Sequence, residues 1–153
     1  MSLYIFGYGS LINMTNNTEI DNPSERCIYP VIVEHMERSW NVCGKSQRYL
    51  GVKNRKHYKT NGILFKISEE ELKKIIKRET YYEPKQIPNH RIQAYDKSIR
   101  ITSNDVIICF YPIITYHICK PIKLSYLYMC LKGCLKISKS FTKDFIEMTT
   151  MDD

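Results

Sequence analysis

Around residue 68 the hydrophobic pattern changes period, and that change restricts the fold more than any other feature of the sequence. Ahead of it, short β-prone pieces recur: residues 3–7, "CIYPVIVEH", "RSWNV", "YLGV" (49–52) and "GILFKI" (62–67), the last two separated by a basic loop. In "SEEELKKIIKRE" (68–79), Leu72, Ile75 and Ile76 instead fall at helical spacing, and Ser68 with Glu71 forms a capping box. Strand-like "YYEPKQI" and "RIQAY" follow, then the apolar stretch 106–114. Helical spacing returns in "LSYLYMCLKGCLKI" (124–137) and "SFTKDFIEM" (140–148), with Ser140 expected as the N-cap of the last helix. Strands over the first three-quarters, one inserted helix and helices at the end predict a compact α+β fold, barrel-like or built on a strongly curved sheet. A doubly wound fold would need strands and helices to alternate, and they do not.

Composition narrows the class. A chain of 153 residues with 43% hydrophobic and 25% charged residues is ordinary globular material, so the expectation is one domain over residues 1–153. The longest apolar run is about half of a membrane span and is broken by Pro112, and no secretory signal is read at the N-terminus. The expected setting is therefore cytoplasmic, without membrane contact. Free, buried thiols are expected for Cys27, Cys43, Cys109, Cys119, Cys130 and Cys134, with Cys43 packing at a strand end. Neither these cysteines nor His35, His57, His90 and His117 show metal-ligand spacing, so no metal site is expected. The net charge of +7 raises the question of nucleic acid, most directly at Lys45, Arg48, Lys53, Arg55, Lys56 and Lys59. No nucleic-acid-binding signature accompanies that cluster, and a solvated basic loop is the expected reading.

Two features carry chemistry. The first strand stops in Gly7-Tyr8-Gly9-Ser10. Glycine tolerates a left-handed backbone and close approach, so this turn can present bare N–H groups to an anion or a polarised carbonyl. The second feature is Glu79, one step further along the 72-75-76 stripe, with Lys73, Lys74, Lys77 and Arg78 assigned to the outer face. A carboxylate there is desolvated and lies at the negative end of the helix dipole; both effects raise its pKa, as acid/base chemistry requires. The residues alone leave a second placement open, in which the helix ends before Glu79 and the side chain pairs with an arginine in solvent. Glu83, four residues on, is a possible decoy.

The blocks "FGYGSLI", "RSWN", "YLGV", "NGILFKI", "EELKKIIKRETYY" and "SYLYMCLKGCL…FTKDFIEMT" resemble, in order and spacing, the γ-glutamylcyclotransferase-like family. The resemblance runs from Tyr4 to Thr149, and the loop combined with "RE-x-x-Y" is its most specific part. It implies a small mixed β-barrel with flanking helices and an intramolecular aminolysis. The α-amine of a γ-glutamyl group attacks its own γ-carbonyl, releasing 5-oxoproline and an amine without cofactor or metal. It implies Glu79 as the catalytic acid/base. It also implies that Gly7, Tyr8, Gly9, Ser10, Leu11 and Ile12 hold the glutamyl moiety, with Tyr126 as a substrate contact. Tyr82 either walls the pocket or packs. Relatives often carry an acidic residue two before the glutamate; here it is Lys77, expected to face outward.

Other chemistries fit poorly. Ser10 lies in G-Y-G-S-L and not in a nucleophile elbow, and Ile12 replaces the third glycine of a dinucleotide fingerprint. The remaining alternative is a non-catalytic module that binds a γ-glutamyl-like or acidic ligand. The choice of small-molecule γ-glutamyl substrate is assigned to walls from loops 13–25, 53–60 and 113–121.

Overall fold

The first strand, β1 (Leu3–Gly7), lies inside the sheet, between β3 (Arg48–Lys66), antiparallel to it, and β6 (Val106–Pro112), parallel to it. The computed structural model describes residues 2–97, 99–115 and 120–151. Ile5 and Phe6 are fully buried against Ile63, Leu64, Phe65, Ile107 and Cys109, each at 0% exposure. A strand buried on both faces reads as a continuous apolar run, which is why "YIF" needs no alternation. Each such side chain contributes about 1.5–3 kcal/mol.

The remaining strands extend this centre to both sides. Beyond β6 lies β4 (Tyr82–Gln86); beyond β3 lies β2 (Ile28–Cys43), which also pairs with β5 (Ile92–Ala94) and, in parallel, with β7 (Thr149–Thr150). The result is α+β, with a seven-stranded mixed sheet and three α-helices among the described residues. Among the described residues no ladder joins β4 to β5, so "barrel" fits only loosely.

The expected basic loop is strand. β3 runs unbroken from Arg48 to Lys66 and β2 from Ile28 to Cys43, each replacing two short predicted pieces. The ladder tolerates the polar middle through a bulge: Glu34 pairs with Lys59 and Met36 with Asn54, leaving His35 opposite residues 55–58. His35 and His57 take left-handed backbone (φ 60° and 72°), a conformation for which histidine is enriched. Side-chain pattern failed here because a two-stranded stretch needs only backbone hydrogen bonds. The exposed cations Lys53 and Arg55 converge on the buried carboxylate of Glu37, at 3.5 and 3.0 Å.

Helix α1 (Glu69–Arg78) carries the expected capping box. The Glu71 amide donates to Ser68 Oγ (3.1 Å) and the Ser68 amide to Glu71 Oε1 (3.0 Å). Its stripe is narrower than expected. Ile75 is buried, Leu72 half-buried, and Ile76 is 38% exposed beside an apolar cleft with Leu3 and Val106. Lys77 faces solvent. Helix α2 (Leu124–Ile137) directs Cys130 and Cys134 inward as free thiols. In α3 (Lys139–Glu147) the N-cap is Ser138, not Ser140. Ser138 Oγ accepts from the Phe141 amide (2.9 Å), and Ser138 also closes α2, so one residue makes the corner. None of these helices is long and apolar enough to cross a membrane.

The thiol expectation holds for Cys109, Cys130 and Cys134, which are free and buried; Cys27 is free but exposed. Cys43 corrects it, being disulfide-bonded at the end of β2. Cys119 and His117 lie outside the described residues.

Glu71 does more than cap. It accepts from Arg26 Nη1 (3.0 Å) and from the Asp21 amide (3.0 Å), tying α1 to the loop before β2. Burial alone would raise its carboxyl, but the Arg26 hydrogen bond and the Ser68 and Asp21 amides outweigh it and bring the group down to about 2 from an ordinary 4.5. A depressed carboxylate stabilises the fold above the unfolded value, and that share is lost as pH falls from about 4.5 toward about 2. Glu71→Gln is expected to cost about 1.5–3 kcal/mol at pH 7, the range for a charged hydrogen bond. It should also flatten the acid limb of stability, measured by urea unfolding at pH 7 and pH 3.

Candidate active site

Where β1 ends, the chain turns away from the sheet and folds into one 3-10 turn, Ser10–Ile12. Two anchors hold the turn. Tyr8 donates its hydroxyl to the Phe110 carbonyl on β6 (2.6 Å), while the Tyr8 carbonyl accepts from Arg38 Nη1 (3.1 Å). The turn closes on itself through Ile12 N–H to Gly9 O and Asn13 N–H to Ser10 O, both 3.0 Å. The amides of Gly9, Ser10 and Leu11 have no acceptor among the described residues, as expected for the opening of a helical turn. No described glycine has a positive φ, so the left-handed reason for glycine does not apply here. Close approach does: a Cβ on Gly9 would lie 3.2 Å from Tyr126 Oη and 3.5 Å from Leu50 Cδ1.

Glu79 reaches the same place from α1. The helix ends at Arg78 and Glu79 is its C-cap, with its N–H on Ile75 O (3.0 Å) and its carbonyl receiving the Tyr82 amide (3.2 Å). The two placements left open by the sequence are thus combined. The side chain does pair with an arginine, Arg78 Nη2 at 3.3 Å, yet it is only 18% exposed. Arg78 is accordingly half-buried and not on the outer face. Burial is the main influence on Glu79 and raises its pKa; Arg78 opposes this by charge and hydrogen bond, Glu19 adds a smaller push upward, and the net direction is up. Glu83 is exposed and pairs with Lys85 (3.4 Å).

Between these two elements lies a cavity of about 30 Å³, lined by Glu79 and by Tyr8, Gly9, Ser10 and Leu11. Tyr82, Tyr126, Leu50 and Phe110 complete it. An outer recess of about 180 Å³ shares Ser10, Glu79, Tyr82 and Tyr126 and adds Tyr49, Tyr81 and Arg78. The walls are an interlocked aromatic set. Tyr126 meets Trp40 and Tyr49 edge-on, with centroids 5.8 and 5.2 Å apart. Tyr49 in turn stacks on Tyr81. Tyr82 donates to Leu50 O (2.8 Å), so it both walls the cavity and packs. Burial pushes the phenols of Tyr8, Tyr82 and Tyr126 upward, keeping them neutral donors.

No family model matches this sequence, and no curated protein does. Solved structures do. One named gamma-glutamyl cyclotransferase aligns with TM-score 0.71 over 100% of this chain and 90% of its own, at 11% identity. YkqA from Bacillus subtilis aligns with TM-score 0.70 and 15% identity over 95% of this chain; the chain spans 53% of YkqA. A yeast gamma-glutamyl cyclotransferase specific to glutathione gives TM-score 0.61 at 10% identity, over 97% of this chain and 96% of its own. The fold is the γ-glutamylcyclotransferase-like fold.

As this chain builds the γ-glutamylcyclotransferase-like fold, Tyr8, Gly9, Ser10, Leu11, Glu79, Tyr82 and Tyr126 meet at one cavity. Gly7 and Ile12 do not line it: Gly7 is paired with Ile63 in the sheet, and Ile12 is buried beneath the turn. Loops 13–25 and 53–60 contribute no lining residue, nor do the described parts of 113–121. The walls come instead from β3 (Tyr49, Leu50), β6 (Phe110) and the turn after α1 (Thr80, Tyr81). Sequence reasoning passed over Tyr49 and Leu50 although "YLGV" is a block of the family resemblance. A β-branched side chain at Gly9 should push on Tyr126 and through it on Trp40, the sole tryptophan. Gly9→Val is therefore expected to shift the Trp40 emission maximum without unfolding the protein; an unchanged spectrum would show that Tyr126 has room to yield.

Proposed function

We propose that the chain is a cofactor-independent γ-glutamylcyclotransferase-type enzyme, releasing 5-oxoproline from a γ-glutamyl amino acid, peptide or amine. One observation carries the reading: a shielded carboxylate with a raised pKa shares a cavity with Gly9, Ser10 and Leu11, whose amides have no acceptor among the described residues. Residues 1–153 are taken as one such domain, acting in the cytoplasm.

In this mechanism Glu79 takes a proton from the α-ammonium of the substrate. The freed amine nitrogen attacks the γ-carbonyl carbon, and the new C–N bond closes a five-membered ring. Negative charge moves onto the carbonyl oxygen, where the Gly9, Ser10 and Leu11 amides can donate to it. Glu79 returns that proton to the leaving nitrogen as the original amide bond breaks, and the second proton shed by the ring nitrogen follows the same route, giving 5-oxoproline and a protonated amine. Nucleophile and electrophile belong to one molecule, so effective molarity replaces an external nucleophile. A carboxylate raised toward neutrality suits both transfers, since it must be a base first and an acid second.

The alternative, a binding module without turnover, is favoured by one feature. The Arg78 ion pair favours the charged form of Glu79 and works against the rise that burial causes, and a fixed charge suits a binding group better than a proton shuttle. Release of 5-oxoproline over a panel of γ-glutamyl compounds separates the two.

Glu79→Gln keeps shape and removes titration. It is expected to lower 5-oxoproline release about 10²–10⁴-fold while circular dichroism and thermal midpoint stay near wild type; near-normal turnover would overturn the mechanism. The same activity should survive prolonged chelation, because the ring closure as written needs no Lewis acid; loss restored by zinc would refute that step.

A further inference from the structure

Glu19 lies in the loop before β2, in a segment that contributes nothing to the cavity walls, yet it touches the site from behind. Both of its carboxylate oxygens accept from Arg78 Nη1, at 2.9 and 3.1 Å, and the same nitrogen lies 3.4 Å from Asn16 O. The other amino group, Nη2, faces Glu79 Oε1 at 3.3 Å. A charge-assisted N–H···O bond is normally 2.7–2.9 Å, so the guanidinium is drawn fully onto Glu19 and only loosely onto its neighbour in sequence. Glu19 is itself 18% exposed and Arg78 31%, so solvent screens this relay only in part.

We propose that Glu19 is a positioning residue that holds Arg78 back from Glu79, so that the carboxylate in the cavity is only half-neutralised by its adjacent cation. Among the described residues the groups that act on Glu79 are few. Arg78 comes from α1, Glu19 from the loop before β2, Tyr8 from the end of β1, Tyr82 from β4 and Tyr126 from α2, the three phenols being neutral. Arg78 is the cation among them and Glu19 the second anion, so the balance between them governs how readily Glu79 accepts and returns a proton. With Glu19 intact, Arg78 is shared and Glu79 stays protonatable. Without that anion, Nη1 is released, the guanidinium can close on Glu79, and the charged form of Glu79 gains on two counts: a tighter cation and one fewer neighbouring negative charge. The kinetic consequence rests on Glu79 as acid/base; the electrostatic one does not.

The two are separated by a direct titration. The full chain, carrying ¹³C at glutamate carboxyls, is followed by NMR against pH, with Glu79→Gln identifying the resonance. Glu19→Gln is expected to move the Glu79 midpoint to lower pH by about half a pH unit or more, and Arg78→Met to move it higher. In the Glu19→Gln, Arg78→Met double variant the effect of the Glu19 change should shrink to a small remainder, because its agent is gone. An unmoved or raised midpoint in Glu19→Gln overturns the proposal. So does an equal shift with and without Arg78, which would make Glu19 a direct charge and not a positioning residue. Should Glu19→Gln fail to fold, the sign of the Arg78→Met shift decides: a midpoint that does not rise means Arg78 does not hold Glu79, and the proposal falls. If the protein releases 5-oxoproline, the acid limb of kcat/KM is expected to follow each midpoint. Midpoints that move as stated in a protein with no release at any pH would sink the enzyme reading and leave this inference standing.

Discussion

A single buried cation, Arg38, joins the parts of the chain that the site depends on. It is fully buried on β2 and spends its donors on uncharged oxygens from four other segments. Nη1 reaches Tyr8 O (3.1 Å) and Asn61 O (2.6 Å), Nη2 reaches Asn61 Oδ1 (2.8 Å) and Phe145 O (2.9 Å), and Nε reaches Thr149 Oγ1 (2.8 Å). The Phe145 ring lies 4.0 Å from the guanidinium carbon. Burial lowers its pKa to about 10, which leaves it charged at neutral pH. A planar five-donor fork suits this task as lysine could not. Through it the turn after β1, the middle of β3, the end of α3 and the short strand β7 share one fixed point.

Two opposed demands meet at Glu79. Placing a carboxylate under the aromatic wall raises its pKa, whereas the arginine beside it lowers it. The observed balance is a group still raised, held by a bond longer than a good ion pair. The same wall that desolvates Glu79 also keeps three phenols neutral, so hydrogen-bond donors surround the cavity without adding charge. Position at a helix end contributes as well, since the last turn has free carbonyls and no dipolar support for an anion.

Much of this was legible in the residue pattern. The strand at 3–7, the capping box at Ser68 and Glu71 and the helix at 124–137 all follow from local period and local chemistry, which act over a few residues, whereas the pattern left Glu79 open between an inward and a solvent-paired placement. The block order then pointed to the fold that the solved structures share. What failed did so for non-local reasons. The basic stretch of β3 has the composition of a loop, and only its partner strand makes it a strand. Ser138 was passed over for Ser140 because both are plausible caps, and the corner with α2 decides between them. The fate of Cys43 is equally non-local: a disulfide needs a partner brought near by the rest of the fold.

The sequence by itself determined which segments are apolar, where helical period begins, and that a glycine turn and a glutamate at the end of a helical stripe exist in one chain. Tertiary structure alone decided that they face each other. Glu79 and the turn at residues 8–11 are far apart in sequence, and their meeting depends on β1, β6 and β4 lying side by side in the sheet. Likewise, nothing local marks Tyr49, Leu50 and Phe110 as cavity walls, or Glu19 as the counterweight to Arg78. Periodicity reports which face of an element is buried, because burial depends on the element's own side chains. It carries no record of what that face will be buried against, because that depends on which distant backbones pair.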